Sequence, residues 1–367
     1  MRLAILGTRG IPARYGGFET LAEELSARLG ERGHAVTVYT RSHYAEPGLR
    51  QWRGARVRVL PTIASKYLDT VVHGVLSGFD AALERFDAVL VCNAINAAGS
   101  FLPRLSGRTR VVLNVDGLER NRRKWSAFGR AAYLLSERLS TIVPDAVVSD
   151  ARVIQEYYRE QYGFQSVFIP YGGDLPLPSG RETLERLGLT EERYVLYVSR
   201  LEPENNADAV VRAYREVPGQ TPLVVVGDAP YAADYIARVK READTRVLFP
   251  GAIYGEGYRQ LLANAAAYVQ ATEVGGTHPA LVEALGYGRV VCYHESPENQ
   301  EVAEQAGVPF DVHRPETLTR LLAEILDDPA SFSVWKQRAR ERVQQRYRWE
   351  EVARRYEAVL EGRTFLS

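Results

Sequence analysis

The chain has 367 residues, more than one ordinary hydrophobic core accommodates, and this length predicts two domains. Hydrophobic residues make up 46% of the sequence and charged residues 25%, a balance typical of globular proteins that excludes a largely disordered chain. The 46 basic residues equal the 46 acidic ones, so no overall charge favours nucleic acid, and any anion site must be local.

The two cysteines and the N-terminus narrow the class of protein further. Cys92 and Cys292 each lie inside an apolar run, so we expect two buried thiols rather than a disulfide or a zinc site. The sequence opens directly on a strand, and no stretch approaches about 18 uninterrupted apolar residues, so we predict neither a secretory signal nor a membrane span. The expected location is cytoplasmic, with peripheral contact at the inner face of the cell membrane as an open alternative.

In the first half of the chain, short β-branched runs alternate with longer amphipathic stretches. The helical pattern over Phe18–Leu29, for example, places Leu21 and Leu25 on one apolar face. This alternation predicts a parallel sheet with helices on both sides. The predicted strands are Arg2–Leu6, Ala35–Tyr39, Val57–Leu60, Ala88–Cys92, Arg110–Asn114, Ala146–Val148 and Val167–Ile169.

The alternation stops at residues 169–178, a stretch rich in proline and glycine that is typical of a linker. It then resumes and ends on a predicted helix, Trp349–Leu360. We therefore predict two doubly wound domains, residues 1–170 and 171–347, followed by a terminal helical segment at 348–367. In such sheets, ligands bind at the carboxyl ends of the strands. The predicted strands of the second half are Tyr194–Ser199, Leu223–Val226, Arg246–Phe249, Ala267–Gln270, Arg289–Tyr293 and Pro309–Val312.

The loop after the first strand contains four glycines and two arginines. Gly16 and Gly17 stand just before a helix, where backbone N–H groups can approach a phosphate or a sugar. Arg9 and Arg14 add positive charge. An ordinary strand-to-helix turn is the alternative. The glycine spacing differs from G-x-G-x-x-G, which counts against a nicotinamide dehydrogenase.

A carboxylate and a basic run follow a later strand of the first domain. Asp116 leaves that strand at the edge where ligands bind, so it can accept a hydrogen bond from a sugar hydroxyl or act as a base. Residues 120–125 contain Arg122, Arg123 and Lys124, which predict contact with a lipid-linked diphosphate acceptor or with anionic lipid head groups. A solvated helix start is the alternative for this run.

Arg200 ends the first strand of the second domain. Its planar guanidinium suits a diphosphate leaving group, because two parallel N–H bonds can meet the phosphate oxygens. A surface salt bridge is the alternative. The polar run that follows, with Glu204 and Asn205, supports the binding interpretation and adds candidate contacts to the ligand.

A glycine loop follows the predicted strand Ala267–Gln270, and a helix with proline in its first turn comes next. The N–H groups of Gly276, Thr277 and His278 form a candidate anion site, which the helix dipole reinforces. Glu283 lies one turn into this helix and is placed to accept both hydroxyls of a ribose. A surface glutamate is the alternative.

Taken together, these segments resemble the retaining glycosyltransferases of the GT-B fold, in the large family (family 4) that includes sucrose synthases and many bacterial mannosyltransferases. The resemblance covers nearly the whole chain. The segments that begin at Gly7, Val115, Arg200 and Val274 are similar to a narrower branch, the bacterial rhamnosyltransferases of surface-polysaccharide assembly.

The resemblance implies a fold and a different substrate for each domain. It implies two Rossmann-like domains that face a deep cleft, with the terminal helix crossing back onto the first domain. Residues 1–170 would bind the acceptor, and residues 171–347 would bind a nucleotide-sugar donor. The expected enzyme is a hexosyltransferase that retains anomeric configuration and needs neither a metal nor a cofactor.

The resemblance also implies roles for single residues. Glu283 would bind the ribose and Arg200 the departing diphosphate, while Asp116 would join Arg200 as a catalytic residue. The remaining candidates fall into two groups. The other donor contacts would be Gly16, Gly17, Glu204, Asn205, Ile253, Gly276, Thr277 and His278. The acceptor or membrane contacts would be Arg14, Tyr15, Arg122, Arg123 and Lys124.

Three positions depart from the wider family. The family pairs its arginine with a lysine five residues later, where this chain has Asn205. It carries a glutamate where this chain has Gly275, and a histidine where this chain has Asp116. These departures indicate a different donor sugar, so dTDP-rhamnose is the expected donor, with GDP-mannose or a UDP-sugar next. A sugar-nucleotide 2-epimerase of the same fold and a non-catalytic sugar-nucleotide-binding subunit remain alternatives.

Overall fold

A computed structural model of the chain describes residues 1–65, 68–118, 126–229 and 231–363. The predicted contact residues Arg122, Arg123 and Lys124 lie outside the described residues. Internal contacts divide the chain into two units. The first unit is Met1–Tyr171 together with Trp349–Ser367, and the second is Gly172–Arg348.

The first unit is built on an eight-stranded sheet with the order β3-β4-β2-β1-β5-β6-β7-β8. All its neighbouring strands run parallel except β3, which pairs antiparallel with β4. Strands β1 to β8 are Arg2–Leu6, Ala35–Arg41, Gln51–Trp52, Ala55–Leu60, Ala88–Cys92, Arg110–Asn114, Ala146–Ser149 and Val167–Phe168. Helices α1 to α4 are Gly17–Glu31, Asp69–Glu84, Ala127–Ser140 and Arg152–Tyr162, and 3-10 helices cover Ala94–Asn96 and Ala98–Ser106. Every residue of β5 is buried, as expected for a central strand covered on both faces.

The second unit is built on a six-stranded, wholly parallel sheet with the order β11-β10-β9-β12-β13-β14. Strands β9 to β14 are Val195–Val198, Leu223–Val226, Val247–Gly251, Ala267–Gln270, Val290–His294 and Val308–Phe310. Helices α5 to α12 are Glu182–Arg186, Ala207–Arg215, Ala233–Glu242, Gly255–Asn264, Pro279–Gly286, Pro297–Ala303, Pro315–Asp327 and Ser333–Arg346. Two apolar clusters form its core, one on each side of the sheet.

The last helix, α13 (Trp349–Leu360), packs in the first unit against α1, β5 and β6. The hydroxyl of Tyr356 accepts a hydrogen bond of 2.6 Å from the Asn114 amide, and Arg110 donates to the Val359 carbonyl at 2.8 Å. Glu357 pairs with Arg32 at 2.8 Å. The polypeptide thus returns to the first unit after completing the second.

Every predicted strand is present in the structure, so the α/β prediction is confirmed. Strand β3 was not predicted, because two residues are too few to show a period. Cys92 and Cys292 are free and buried, which confirms that prediction. Among the described residues, no helix is long and apolar enough to cross a membrane.

Candidate functional site

The second unit has a topological switch point between β9 and β12. Strand β9 has β10 on one side and β12 on the other, so the loops after β9 and β12 leave the same edge of the sheet side by side. Two hydrogen bonds join these loops: Glu273 N–H donates to the Glu204 carbonyl at 3.0 Å, and the Asn206 amide donates to the Ala271 carbonyl at 2.9 Å. Switch points of open α/β sheets are where ligands bind. Two of the predicted segments therefore meet at the expected position.

Arg200 lies in the loop after β9, and its side chain is 25% exposed. Glu202 is 3.8 Å from its guanidinium, a distance that makes a loose ion pair. The Arg200 carbonyl accepts a bond of 2.6 Å from the side-chain amide of Asn205. Asn205 and Glu204 are both buried. The amide of Asn205, which stands at the family's lysine position, therefore shapes the loop that carries Arg200.

The loop after β12 leads into α9, which begins at Pro279 as predicted. Gly276 and Thr277 are buried, and His278 is the residue that precedes the first helical position. The His278 carbonyl accepts from the N–H groups of Leu281 and Val282, while its imidazole makes no capping bond. The first-turn N–H groups of a helix point out of its N-terminus and favour an anion there.

The space beside Gly275 is filled by the imidazole of His278. A Cβ atom at position 275 would lie 2.5 Å from Cε1 and 2.9 Å from Nε2 of that ring. Only glycine therefore fits at 275 while the ring keeps this position. This contact links two features of the loop that the sequence shows separately, the missing glutamate at 275 and the histidine at 278.

Glu283 is buried at 3% exposure, so the surface-glutamate alternative is wrong. It accepts a short hydrogen bond from the hydroxyl of Tyr258, on α8. Burial, and next the Glu283 carboxylate, raise the pKa of the Tyr258 hydroxyl well above its ordinary value, so this tyrosine remains a donor. Ile253, a predicted donor contact, is half-buried and packs in the same apolar cluster as Tyr258. Tyr258 was not predicted, although its place in α8, which begins two residues after Ile253, could have suggested it.

A carboxylate and two imidazoles that could bind a metal ion lie beside this site. The ligand atoms of Glu273, His294 and His313 lie within 4.8 Å of one another, and Glu273 is 3.1 Å from His313. Burial lowers the pKa of His294, which favours its neutral form. Two imidazoles and a carboxylate can bind a divalent transition metal.

Asp116 follows β6 in the first unit and has a left-handed backbone conformation, with φ of 54°. Its N–H donates to Asn114 Oδ1 at 2.9 Å, and this turn holds the residue in place. Burial, and next the Asp116 carboxylate, raise the pKa of the Tyr171 hydroxyl well above its ordinary value. A non-glycine residue held in this conformation marks a candidate functional position.

The loop after β1 is also in the first unit. Gly16 caps α1 and Gly17 begins it. The Arg9 guanidinium lies over the rings of Tyr15 and Tyr44, at 3.0 and 4.7 Å from their centroids. Arg14, a predicted acceptor contact, pairs with Glu46. Gly16, Gly17 and Asp116 thus belong to the first unit, whereas Arg200, Glu204, Asn205, Ile253, Gly276, Thr277, His278 and Glu283 belong to the second.

Both units match known glycosyltransferase domains. Residues 16–172 match the glycosyl transferase 4-like domain, and residues 181–342 match the glycosyl transferases group 1. A GDP-mannose-dependent alpha-(1-6)-phosphatidylinositol monomannoside mannosyltransferase of Mycolicibacterium smegmatis is 27% identical over 248 residues. That match covers 62% of this chain and 61% of that protein, so it spans less than two thirds of this relative.

Solved structures resemble the fold over almost its full length. Sucrose-phosphate synthase from Thermosynechococcus elongatus has a TM-score of 0.81 at 19% identity and covers 98% of each chain. Anabaena HepE, in complex with UDP and glucose, has a TM-score of 0.79 at 17% identity and covers 99% of this chain and 100% of that one. The chain therefore has the GT-B fold, and it matches the glycosyl transferase 4-like domain in its first unit and the glycosyl transferases group 1 in its second.

Proposed function

We propose that this glycosyltransferase moves a hexosyl group from a nucleotide-sugar donor, held by the second unit, to a saccharide or lipid-linked acceptor in bacterial surface-polysaccharide synthesis. The observation that carries the proposal is the pair of joined loops after β9 and β12. They present Arg200, the α9 N-terminus and the buried Glu283 on one domain of the group 1 family.

Each of these groups has a defined task. Arg200 and the first-turn amides of α9 stabilise the negative charge that develops on the leaving diphosphate. Glu283, with Tyr258 as its partner, accepts hydrogen bonds from the ribose hydroxyls. The acceptor oxygen attacks the anomeric carbon from the face that the diphosphate leaves, so configuration is retained. The acceptor proton passes to the departing phosphate oxygen. A covalent sugar trapped on Asp116 would contradict this front-face displacement.

Two lines of reasoning bear on the donor. The motif resemblance favours dTDP-rhamnose. The chemistry of Glu283 favours a ribonucleotide, because a carboxylate can accept from both hydroxyls of GDP or UDP but meets only the 3′-hydroxyl of the deoxyribose in dTDP. The Mycolicibacterium smegmatis enzyme is GDP-mannose-dependent, and HepE has also been solved in complex with UDP-glucose, so GDP-mannose and UDP-glucose are tested beside dTDP-rhamnose.

A thermal-shift panel identifies the donor. We expect one of dTDP-rhamnose, GDP-mannose, UDP-glucose or UDP-N-acetylglucosamine to stabilise the protein selectively. A ligand at 100 times its Kd adds about 2.7 kcal/mol to the free energy of unfolding. Glu324→Gln, which changes an exposed glutamate of α11 away from the donor site, should show the same thermal shift as the wild type. A response to NAD with none to any sugar nucleotide would contradict the proposal.

Transfer should continue at its full rate in EDTA. The protein itself supplies the positive charge that the leaving diphosphate needs, through Arg200 and α9. Initial rates in EDTA and in added Mg²⁺ or Mn²⁺ check this expectation. A rate lost in EDTA and restored by a divalent cation would contradict it. Loss of that restoration in Glu273→Gln would then place the ion at the group formed by Glu273, His294 and His313.

A further inference from the structure

Helix α2 of the first unit exposes an apolar side to solvent. Along residues 68–84, every exposed residue is apolar. Phe79 is 51% exposed and Leu83 is 82% exposed. The exposed residues of this stretch are Leu68, Val71, Val75, Leu76, Phe79 and Leu83. A helix of a water-soluble domain ordinarily carries charged or polar residues on that side.

The apolar surface continues onto neighbouring elements. Helix α2 packs on the 3-10 helix Ala98–Ser106, and Gly78 lies so close that a Cβ there would meet Leu102 at 3.1 Å. This 3-10 helix exposes Phe101 and Leu105, and α3, which also contacts it, exposes Leu134 and Leu135. We call the exposed surface of α2, of the helix Ala98–Ser106 and of α3 the apolar face. Contiguous apolar surface of this kind marks an interaction site.

All the exposed charged residues on the apolar face are positively charged. Its exposed charged residues are Arg104, Arg130 and Arg138. Arg104 pairs at 3.0 Å with Asp145, which lies beyond α3. Each acidic residue of the three elements bonds to another protein group: Asp69 to Arg41, Asp80 to Arg58 and Tyr39, Glu84 to Arg2 and Arg56, and Glu137 to Tyr157 and Tyr162.

We infer that the apolar face docks onto the surface of an anionic lipid bilayer. Exposed Leu, Val and Phe side chains enter the boundary between head groups and acyl chains, and arginines beside them reach the lipid phosphates. A second copy of the chain fits less well, because pairing two such faces brings like charges together. The inference does not depend on which sugar is transferred.

Vesicle flotation of the full chain tests the inference. We expect the protein to float with vesicles of phosphatidylcholine and phosphatidylglycerol in about a 3:1 ratio, and to bind pure phosphatidylcholine about tenfold more weakly. The double variant Phe79→Asp/Leu83→Asp should bind the anionic vesicles at least about tenfold more weakly than the wild type. Leu177→Asp, which changes an 85% exposed residue of the second unit, is the matched control and should bind like the wild type.

Further variants separate docking from misfolding. Thermal unfolding should show the same midpoint for the wild type and Phe79→Asp/Leu83→Asp, and Phe79→Ser/Leu83→Ser replaces that variant if it does not fold. Arg130→Glu/Arg138→Glu should weaken binding to anionic vesicles and flatten its dependence on salt. Three results would each overturn the inference: no vesicle binding by the wild type, full vesicle binding by a folded double variant at 79 and 83, or a wild-type dimer that this variant dissociates without any vesicle binding.

Discussion

Replacing Arg200 with alanine will lower the kcat of sugar transfer by about 100- to 1,000-fold, the cost of removing one preorganised donor from a developing oxyanion. The guanidinium follows β9 at the switch point, where ligands of such sheets bind, and its side chain is 25% exposed. Its backbone carbonyl, which Asn205 holds, is unchanged by the substitution. We therefore expect a loss of rate with little change in thermal stability.

Two further variants serve as comparisons when initial rates are measured for Arg200→Ala. Arg200→Lys should restore part of the rate, because an ammonium supplies the charge without the two-pronged geometry. Arg215→Ala, which removes an exposed arginine of α6, should transfer sugar like the wild type. A kcat for Arg200→Ala within about threefold of the wild type would show that Arg200 does not stabilise the leaving group, since a lost donor costs far more.

Replacing Glu283 with glutamine will weaken binding of a ribonucleotide donor by about 10- to 150-fold, the equivalent of the roughly 1.5–3 kcal/mol for a hydrogen bond to a charged group. Glutamine keeps the size of the side chain and an oxygen that can accept from Tyr258. The fold should therefore persist. Glu283→Ala would leave the buried Tyr258 hydroxyl without this acceptor, at a cost of about 1–3 kcal/mol of stability, and is the less specific variant.

Calorimetric titration with matched nucleotides isolates the contribution of the ribose. If Glu283 accepts from both hydroxyls, Glu283→Gln should weaken binding of UDP more than binding of 2′-deoxy-UDP. For a guanine-selective protein, GDP and 2′-deoxy-GDP replace this pair. Equal losses for the two sugars would mean that the carboxylate does not contact the 2′-hydroxyl. Unchanged affinity for both would assign Glu283 to packing with Tyr258 alone.

Much of the fold could be predicted because its signals are local. Val-rich runs such as Ala88–Cys92 are apolar throughout, and this pattern identifies central strands of a parallel sheet. Strand order is set by long-range pairing, which no local pattern records. The placement of β9 between β10 and β12, which brings the two site loops together, therefore came only from the structure.

The candidate site was only partly predictable for a similar reason. Residues at strand ends, such as Arg200, and at a helix start, such as Thr277, follow from element boundaries. The contact of His278 with Gly275 and the bond of Tyr258 to Glu283 join residues whose nearness depends on side-chain packing. The sequence likewise shows that α2 is rich in apolar residues, but only the structure shows which of them reach solvent.

The most direct test of the proposed transfer follows the donor sugar itself. The protein is incubated with the donor that the thermal-shift panel selects, labelled in its sugar, and with a lipid extract of the source cells; the products are then separated and identified by mass spectrometry. We predict that the label moves to an acceptor and that free nucleoside diphosphate appears in equal amount, with both lost in Arg200→Ala. Label that remains on the nucleotide as an isomerised sugar, with or without the extract, would contradict transfer and identify an epimerase.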